Sequence, residues 1–157
     1  MPTATFSLAT AADQQDLVTL WQAAQPSIVA EYSGEPIAGY DLARLQQILA
    51  ARNEGVVLGR VDGALRVAGH CVWDGSMLCV VMGVLDPALT ARQRRDLGLA
   101  LWRAIMARLP DDGIVRWWVR AGSNTDNVFS RYAVLTRTVI GNRAYYEGRS
   151  ADSGALV

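Results

Sequence analysis

The sequence predicts a mixed α/β (α+β) fold, a mainly antiparallel sheet flanked by helices in the order β-α-α-β-β-β-α-β-α-β. Three observations predict it. Two stretches of helical periodicity, one through Leu17, Leu20 and Trp21 and one through Leu42, Leu45, Ile48 and Leu49, precede the first long apolar run. Asp62-Gly63 lies between two apolar runs, the strongest short-range hairpin signal a sequence offers. Met77 to Leu85 is almost continuously apolar, as a strand buried on both faces must be.

Thr3 to Leu8 alternates like a strand, and Thr10 with Asp13 opens a helix: Thr10 can cap it, and the Asp13 carboxylate suits the positive end of the helix dipole. Gln25 to Gly39 contains Pro26, Gly34, Pro36 and Gly39 and reads as a loop, and Tyr40 to Ala51 reads as a second amphipathic helix. Strands are expected from Val56 to Val61, from Leu65 to Trp73 and, after the turn Asp74-Gly75-Ser76, from Met77 to Leu85. Pro87 stops the third of these, and a long helix follows to about Leu109, with Leu97, Leu101, Ala104, Ile105 and Leu109 on one face. Ile114 to Val119 is strand-like, Ser123 or Asn124 can cap a helix through about Leu135, and Thr138 to Tyr146 reads as a last extended segment. No internal repeat or low-complexity linker interrupts residues 1–157, which are expected to form one domain with a flexible tail over 150–157.

Composition narrows the chemistry. Half of the 157 residues are hydrophobic (51%) and 19% are charged, enough apolar material for one well-buried core. Fifteen basic and fifteen acidic residues cancel, which removes the basic excess of a nucleic-acid-binding domain, and nucleic acid is not expected as a partner. All fifteen basic residues are arginine, so a Schiff-base lysine, a lysine general base and a P-loop lysine are excluded. Cys71 and Cys79 have neither CxxC spacing nor a histidine pair beside them, so no metal site is expected. The first residues lack a basic region followed by an apolar one, and no run reaches the roughly 20 apolar residues of a membrane span. The expectation is a cytoplasmic chain with no membrane partner.

Several segments then match a known pattern. An N-terminal strand leads into Ala9-Thr10-Ala11-Ala12-Asp13 and Leu17-x-x-Leu20-Trp21; the Asp62-Gly63 hairpin leads to Ala68-Gly69-His70; Val84-Leu85-Asp86-Pro87 closes a strand; and Arg95-Asp96-Leu97-Gly98-Leu99-Ala100 fits R-x-x-G-x-[GA]. In this order they resemble the GNAT superfamily of acetyl-CoA-dependent N-acyltransferases over roughly residues 5–147. The resemblance implies acetyl-CoA as cofactor and transfer of an acetyl group to a primary amine by direct attack on the thioester. It also implies that the fourth and fifth strands splay, that Met82 to Leu85, chiefly Val84 and Leu85, offer an edge to the pantetheine arm, and that Arg94, Arg95, Gly98 and Ala100 hold the pyrophosphate. Asn124 and Asn127 become cofactor candidates, Tyr132 the acid that protonates the departing thiolate, and Glu31 and Tyr32 the acceptor-side residues.

The pyrophosphate motif has a physical reading of its own. A glycine at a helix start lets backbone approach a ligand, free N–H groups there point at an anion, and Arg92, Arg94 and Arg95 crowd the same end, where the dipole disfavours cations unless something negative is bound. The spacing from Pro87 to Gly98 is about twice that usual in the family. Either the loop is longer, or Thr90 begins the helix early and the loop is degenerate. Gly83 is read in two ways, as a bulge or as a strand glycine facing a bulky neighbour. Tyr132 shares an apolar stripe with Val128 and Leu135, so a packed core tyrosine competes with the acid role. Glu31, His70, Asp74 and Asp86 are the candidate bases, and none is singled out. In Arg116-Trp117-Trp118-Val119-Arg120, strand alternation sets the two indoles on opposite faces, one to the core and one covering. The acceptor is a small-molecule or peptide amine, and a homodimer is left open. The alternative function is a catalytically degenerate protein of the same fold that acts as a binding or structural subunit.

Overall fold

The computed structural model describes residues 3–33 and 41–152. Seven strands form one sheet in the order β1-β2-β3-β4-β5-β7-β6. They are β1 (Thr5–Leu8), β2 (Glu54–Val61), β3 (Ala64–Asp74), β4 (Met77–Leu85), β5 (Ile114–Arg120), β6 (Thr136–Ile140) and β7 (Arg143–Arg149). Helices α1 (Gln14–Ile28), α2 (Leu42–Ala50), α3 (Ala91–Met106) and α4 (Asn124–Phe129) complete the chain. Every pair of neighbouring strands is antiparallel except β4 and β5, which run parallel.

The hairpin between β2 and β3 turns at Asp62-Gly63, both with positive φ (51° and 80°), the mirror-image turn whose twist matches the flanking strands. The sheet is covered on both faces. His70 and Met82 are cross-strand partners on one face, where the Trp21 indole of α1 donates to the Met82 sulfur at 3.4 Å. Gly69 lies on the other, where a side chain would run into Ile105 and Leu101 of α3. Leu17, Leu20, Trp21, Ala24 and Ile28 of α1, and Leu97, Leu101, Trp102, Ile105 and Met106 of α3, bury the apolar stripes that their helical spacing sets up. Trp117 is in the core, stacked between Trp102 (4.3 Å) and Tyr146 (5.5 Å), whereas Trp118 is half-buried under the Arg143 guanidinium at 4.1 Å. The two indoles divide between core and cover as strand alternation requires.

Three segments differ from expectation. Helix α1 runs through Pro26 to Ile28 and then opens into a wider helical turn over Val29–Ser33, so the expected loop begins later. The missing N–H of Pro26 removes one rung of the ladder, but the buried stripe ending at Ala24 and Ile28 carries the helix past it. The rest of that expected loop, including Gly34, Pro36 and Gly39, and the expected helix start at Tyr40 lie outside the described residues. Helix α4 ends at Phe129 rather than near Leu135. Beyond it the N–H groups of Arg131, Tyr132 and Leu135 bond three residues back, tightening the chain so that Leu135 is buried and β6 begins at once. The expected last extended segment is two strands, because Gly141, with φ 60°, and Asn142 turn the chain between Ile140 and Arg143. Of the expected tail, Ser150 is tied to Gly113 and Asp111 by hydrogen bonds, and 153–157 lie outside the described residues.

Candidate functional site

Strands β4 and β5 pair over only three rungs, Met77 with Ile114, Leu78 with Val115 and Cys79 with Arg116, and then part. The edge of β4 beyond Cys79 is a run of backbone donors and acceptors with no neighbouring strand among the described residues, and such groups must find partners elsewhere. A bulge shapes this stretch: His70 opposes Met82 and Cys71 opposes Val80, leaving Val81 as the extra residue, 40% exposed. Of the two readings of Gly83, the strand glycine facing bulky neighbours is the one found, and the bulge falls at Val81. Gly83 instead pairs regularly with Gly69, and a Cβ there would lie 3.4 Å from the Tyr32 hydroxyl and 3.8 Å from the Trp102 ring.

Two cavities abut the parting strands. The larger, about 920 Å³, lies between α3, α4, the end of β4 and the end of α1. Eight of the residues singled out from sequence line it: Glu31, Tyr32, Val84, Leu85, Arg94, Arg95, Gly98 and Asn124. Ala100, Asn127 and Tyr132 are not among its lining residues. Asn127 is exposed, and Tyr132 falls beyond the early end of α4, in the following turn, packed against the core. The second cavity, about 800 Å³, is bounded by the middle of β4, the start of β5 and the β6–β7 hairpin, with Trp118, Tyr145, Arg116 and Arg44 in its wall. Tyr32 lines both.

Thr90 N-caps α3 through a capping box: its hydroxyl accepts from the Gln93 N–H at 3.2 Å while the Gln93 side chain accepts from the Thr90 N–H at 2.9 Å. This resolves the alternative left by the long spacing after Pro87 in favour of an early helix start. Gly98 lies two turns inside the helix, where its N–H belongs to the i→i−4 ladder rather than to a loop. What faces it is open: a Cβ would meet only the Leu85 methyls, at 3.8 Å. Arg92, Arg94 and Arg95 stand on the cavity rim with one acid among them, Asp96, which lies 3.0 Å from Arg95 and 4.0 Å from Arg92. Arg94 has no ion pair among the described residues.

The opposite wall is built around a residue that the sequence reading passed over. Asp126, buried in α4, accepts both arms of Arg137 at 2.8 and 2.7 Å, the Gly122 N–H at 2.8 Å and the Tyr146 hydroxyl. The Arg137 fork holds its carboxyl well below the usual carboxylate range, while burial together with the Asp126 charge pushes the Tyr146 phenol up. The readable signal was Ser123-x-x-Asp126: Ser123 caps α4 by accepting the Asp126 N–H at 3.3 Å. Trp102, Thr125, Val128 and Phe129 also line the larger cavity and were missed. Trp102 falls four residues after Gly98, a helical spacing that could have found it.

The turn after α1 bridges the two walls. The Arg120 Nε donates to the Ala30 carbonyl at 2.8 Å, the Glu31 carboxylate accepts the Thr125 N–H at 2.9 Å, and the Tyr32 hydroxyl accepts the Gly83 N–H at 2.6 Å and donates to the Gly83 carbonyl at 3.2 Å. Of the other candidate bases, Asp86 is engaged by Arg66 and caps the Ala88 N–H, and Asp74 sits at the exposed end of β3. His70 is buried against Glu54 at 2.9 Å, and burial lowers its pKa against the pull of that carboxylate. Cys71 is buried as well, its thiol pushed up to about 12, so it is no nucleophile at neutral pH.

No protein-family model and no curated protein sequence matches the chain. Solved structures do. An acetyltransferase of Thermus thermophilus superposes with a TM-score of 0.72 at 12% identity, covering 92% of this chain and 96% of its own. The ribosomal-protein-S18-alanine N-acetyltransferase of Escherichia coli gives 0.67 at 13%, covering 92% and 91%. The PaiA N-acetyltransferase of Thermoplasma acidophilum, solved in complex with coenzyme A, gives 0.64 at 10%, covering 94% and 99%. These likenesses extend over nearly the whole chain, seven-strand sheet and flanking helices together, and the molecule carries the GNAT fold.

Proposed function

We propose that the protein is an N-acyltransferase that takes an acetyl group from acetyl-CoA and passes it to a primary amine. The observation that carries this reading is the pair of cavities that meet where β4 and β5 part, one rimmed by arginine and one walled by aromatic rings. Two ligands held on either side of one split can exchange a group without leaving the protein. The residues fit the cofactor in three respects. The larger cavity has the volume of a small-molecule site, three guanidinium groups stand at its mouth with a single carboxylate that pairs with two of them, and Gly98 leaves the α3 surface bare where a side chain would intrude. The coenzyme A complex of the Thermoplasma protein supports the same ligand.

Acetyl-CoA, when bound, supplies an activated acyl group. Arg92, Arg94 and Arg95 would hold its phosphates, Asn124 would lie along the other wall, and Val84 and Leu85 would offer the β4 edge. An acceptor amine must arrive neutral or become neutral before it attacks, and with His70 buried and Asp86 engaged by Arg66 that proton is left to solvent in the second cavity. Ala100 and Asn127 take no part in this reading, and Tyr132 is a packing residue in it.

One observation favours the second reading, a binding subunit of degenerate site. With Thr90 as cap, the N–H groups of Arg95 to Ala100 close the α3 ladder and do not face a ligand. A thermal-shift series with acetyl-CoA, free CoA and 3′-dephospho-CoA separates the two. The enzyme reading expects stabilisation, about 2.7 kcal/mol at a hundredfold excess over Kd, that disappears in Gly98→Trp. No shift with any of the three ligands supports the binding subunit.

A further inference from the structure

We infer that Tyr32 is a stopper between the two cavities, and that a ligand reaching from one to the other must displace its hydroxyl from Gly83. The inference rests on the acetyl-CoA reading for the identity of that ligand and on geometry for the rest. Tyr32 is the one residue common to the described linings of both cavities. The larger cavity takes β4 residues from Gly83 onward and the second takes those up to Met82, so the boundary falls at the peptide link where the Tyr32 hydroxyl is bonded.

That hydroxyl does for the β4 edge what a strand or a ligand carbonyl would do. It accepts the outward N–H of Gly83 and donates to the carbonyl of the same residue, satisfying both backbone groups of an edge that no strand covers. An acyl or amide carbonyl drawn into the split meets a donor already taken. The stopper is hinged at one residue. Ala30 is fixed by Arg120 and Glu31 by Thr125, so the turn that carries Tyr32 stays in place while the side chain rotates. The ring rests edge-on against Trp118 at 5.8 Å, a contact on the second-cavity side toward which it can withdraw. Tyr32 therefore sets when the cavities communicate: closed without ligand, and open only when a carbonyl takes over the Gly83 N–H.

The test is titration of wild type and Tyr32→Phe with acetyl-CoA by calorimetry, with the Gly83 amide of wild type followed by ¹⁵N NMR. Tyr32→Phe keeps the ring and frees the Gly83 N–H, and a gain in affinity of about 2–10-fold is expected, the equivalent of one net hydrogen bond. In wild type the Gly83 amide resonance is expected to move on saturation, a readout that does not depend on the variant folding. Binding by Tyr32→Phe alone is the strongest support. Equal or weaker binding by Tyr32→Phe, or a Gly83 amide unmoved in saturated wild type, overturns the stopper and leaves the cofactor reading standing. Binding by neither protein overturns the cofactor reading, and the stopper with it.

Discussion

The two helices that wall the larger cavity handle charge in opposite ways. On α4 a single carboxylate, Asp126, is sealed from water and met on every side by donors of the chain itself: the Arg137 fork, the Gly122 N–H and the Tyr146 hydroxyl. On α3 three guanidinium groups, those of Arg92, Arg94 and Arg95, stand at the cavity rim with one carboxylate, Asp96, which pairs with Arg92 and Arg95. The difference separates two uses of the same residue type. Arg137 is structural, because its partner is internal and desolvated, and its loss would leave a buried charge uncompensated. Arg92, Arg94 and Arg95 contribute little to the fold, since exposed ion pairs are worth only about 0–1 kcal/mol, and their donors are left for something negative.

Breaking the α4 wall should have the largest effect. Asp126→Ala strands the Tyr146 donor and frees the half-exposed Arg137, and is expected to cost about 1–3 kcal/mol, measured as a drop in urea midpoint at pH 7. Acid reaches the same place by titration. The folded-state pKa of Asp126 is depressed, so its contribution is complete above the ordinary carboxylate value of 3.8 and is lost as pH falls below it. The pKa of buried His70 is also lowered from 6.5, so the folded state favours the neutral ring. The stability it confers is complete above that value and erodes as pH falls below it. Denaturation at pH 8, 5.5 and 3.5 should show a first loss that His70→Gln removes and a second, steeper one that Asp126→Asn removes.

A smaller effect of opposite sign is expected on α3. Gly98→Ala replaces a helix-interior glycine where the new methyl meets only the Leu85 side chain at 3.8 Å, and should stabilise the protein by about 0.5–1 kcal/mol, or about 1–4 °C in Tm. If acetyl-CoA lies against that bare surface, the same variant binds it more weakly, and a calorimetric titration that finds unchanged affinity would move the ligand away from Gly98. The smallest stability effect belongs to Arg94→Ala, within about 0.5 kcal/mol of wild type. Its reading is in the ligand: loss of the acetyl-CoA thermal shift at unchanged unliganded Tm assigns the charge to binding, and a shift that persists removes Arg94 from the site.

These contrasts also mark how far the sequence could be read. The antiparallel core was legible because its signals are local, an Asp-Gly turn between apolar runs and a strand-ending proline. The early start of α3 was legible as one of two alternatives, since Thr90 and Gln93 form the capping box within four residues. Helix α4 was overextended because Val128, Tyr132 and Leu135 keep helical spacing, while the force that ends the helix is distant: Arg137 and Tyr146 reach back to Asp126. Eight of eleven candidate site residues share one cavity, and those that do not, Ala100, Asn127 and Tyr132, were placed by motif spacing within helices rather than by which face of α3 or α4 meets the sheet. The role of Tyr32 at Gly83, fifty-one residues away in sequence, left no local trace.

The order of the sheet carries one more consequence. Strand β6 joins the sheet only through β7, which lies between it and β5 although it follows both in the chain. Tyr146, the residue that clamps Asp126, rides on β7, so the α4 wall is locked only when the β6–β7 hairpin is docked beside β5. The α4 wall thus depends on the docking of the β6–β7 hairpin as well as on its own residues.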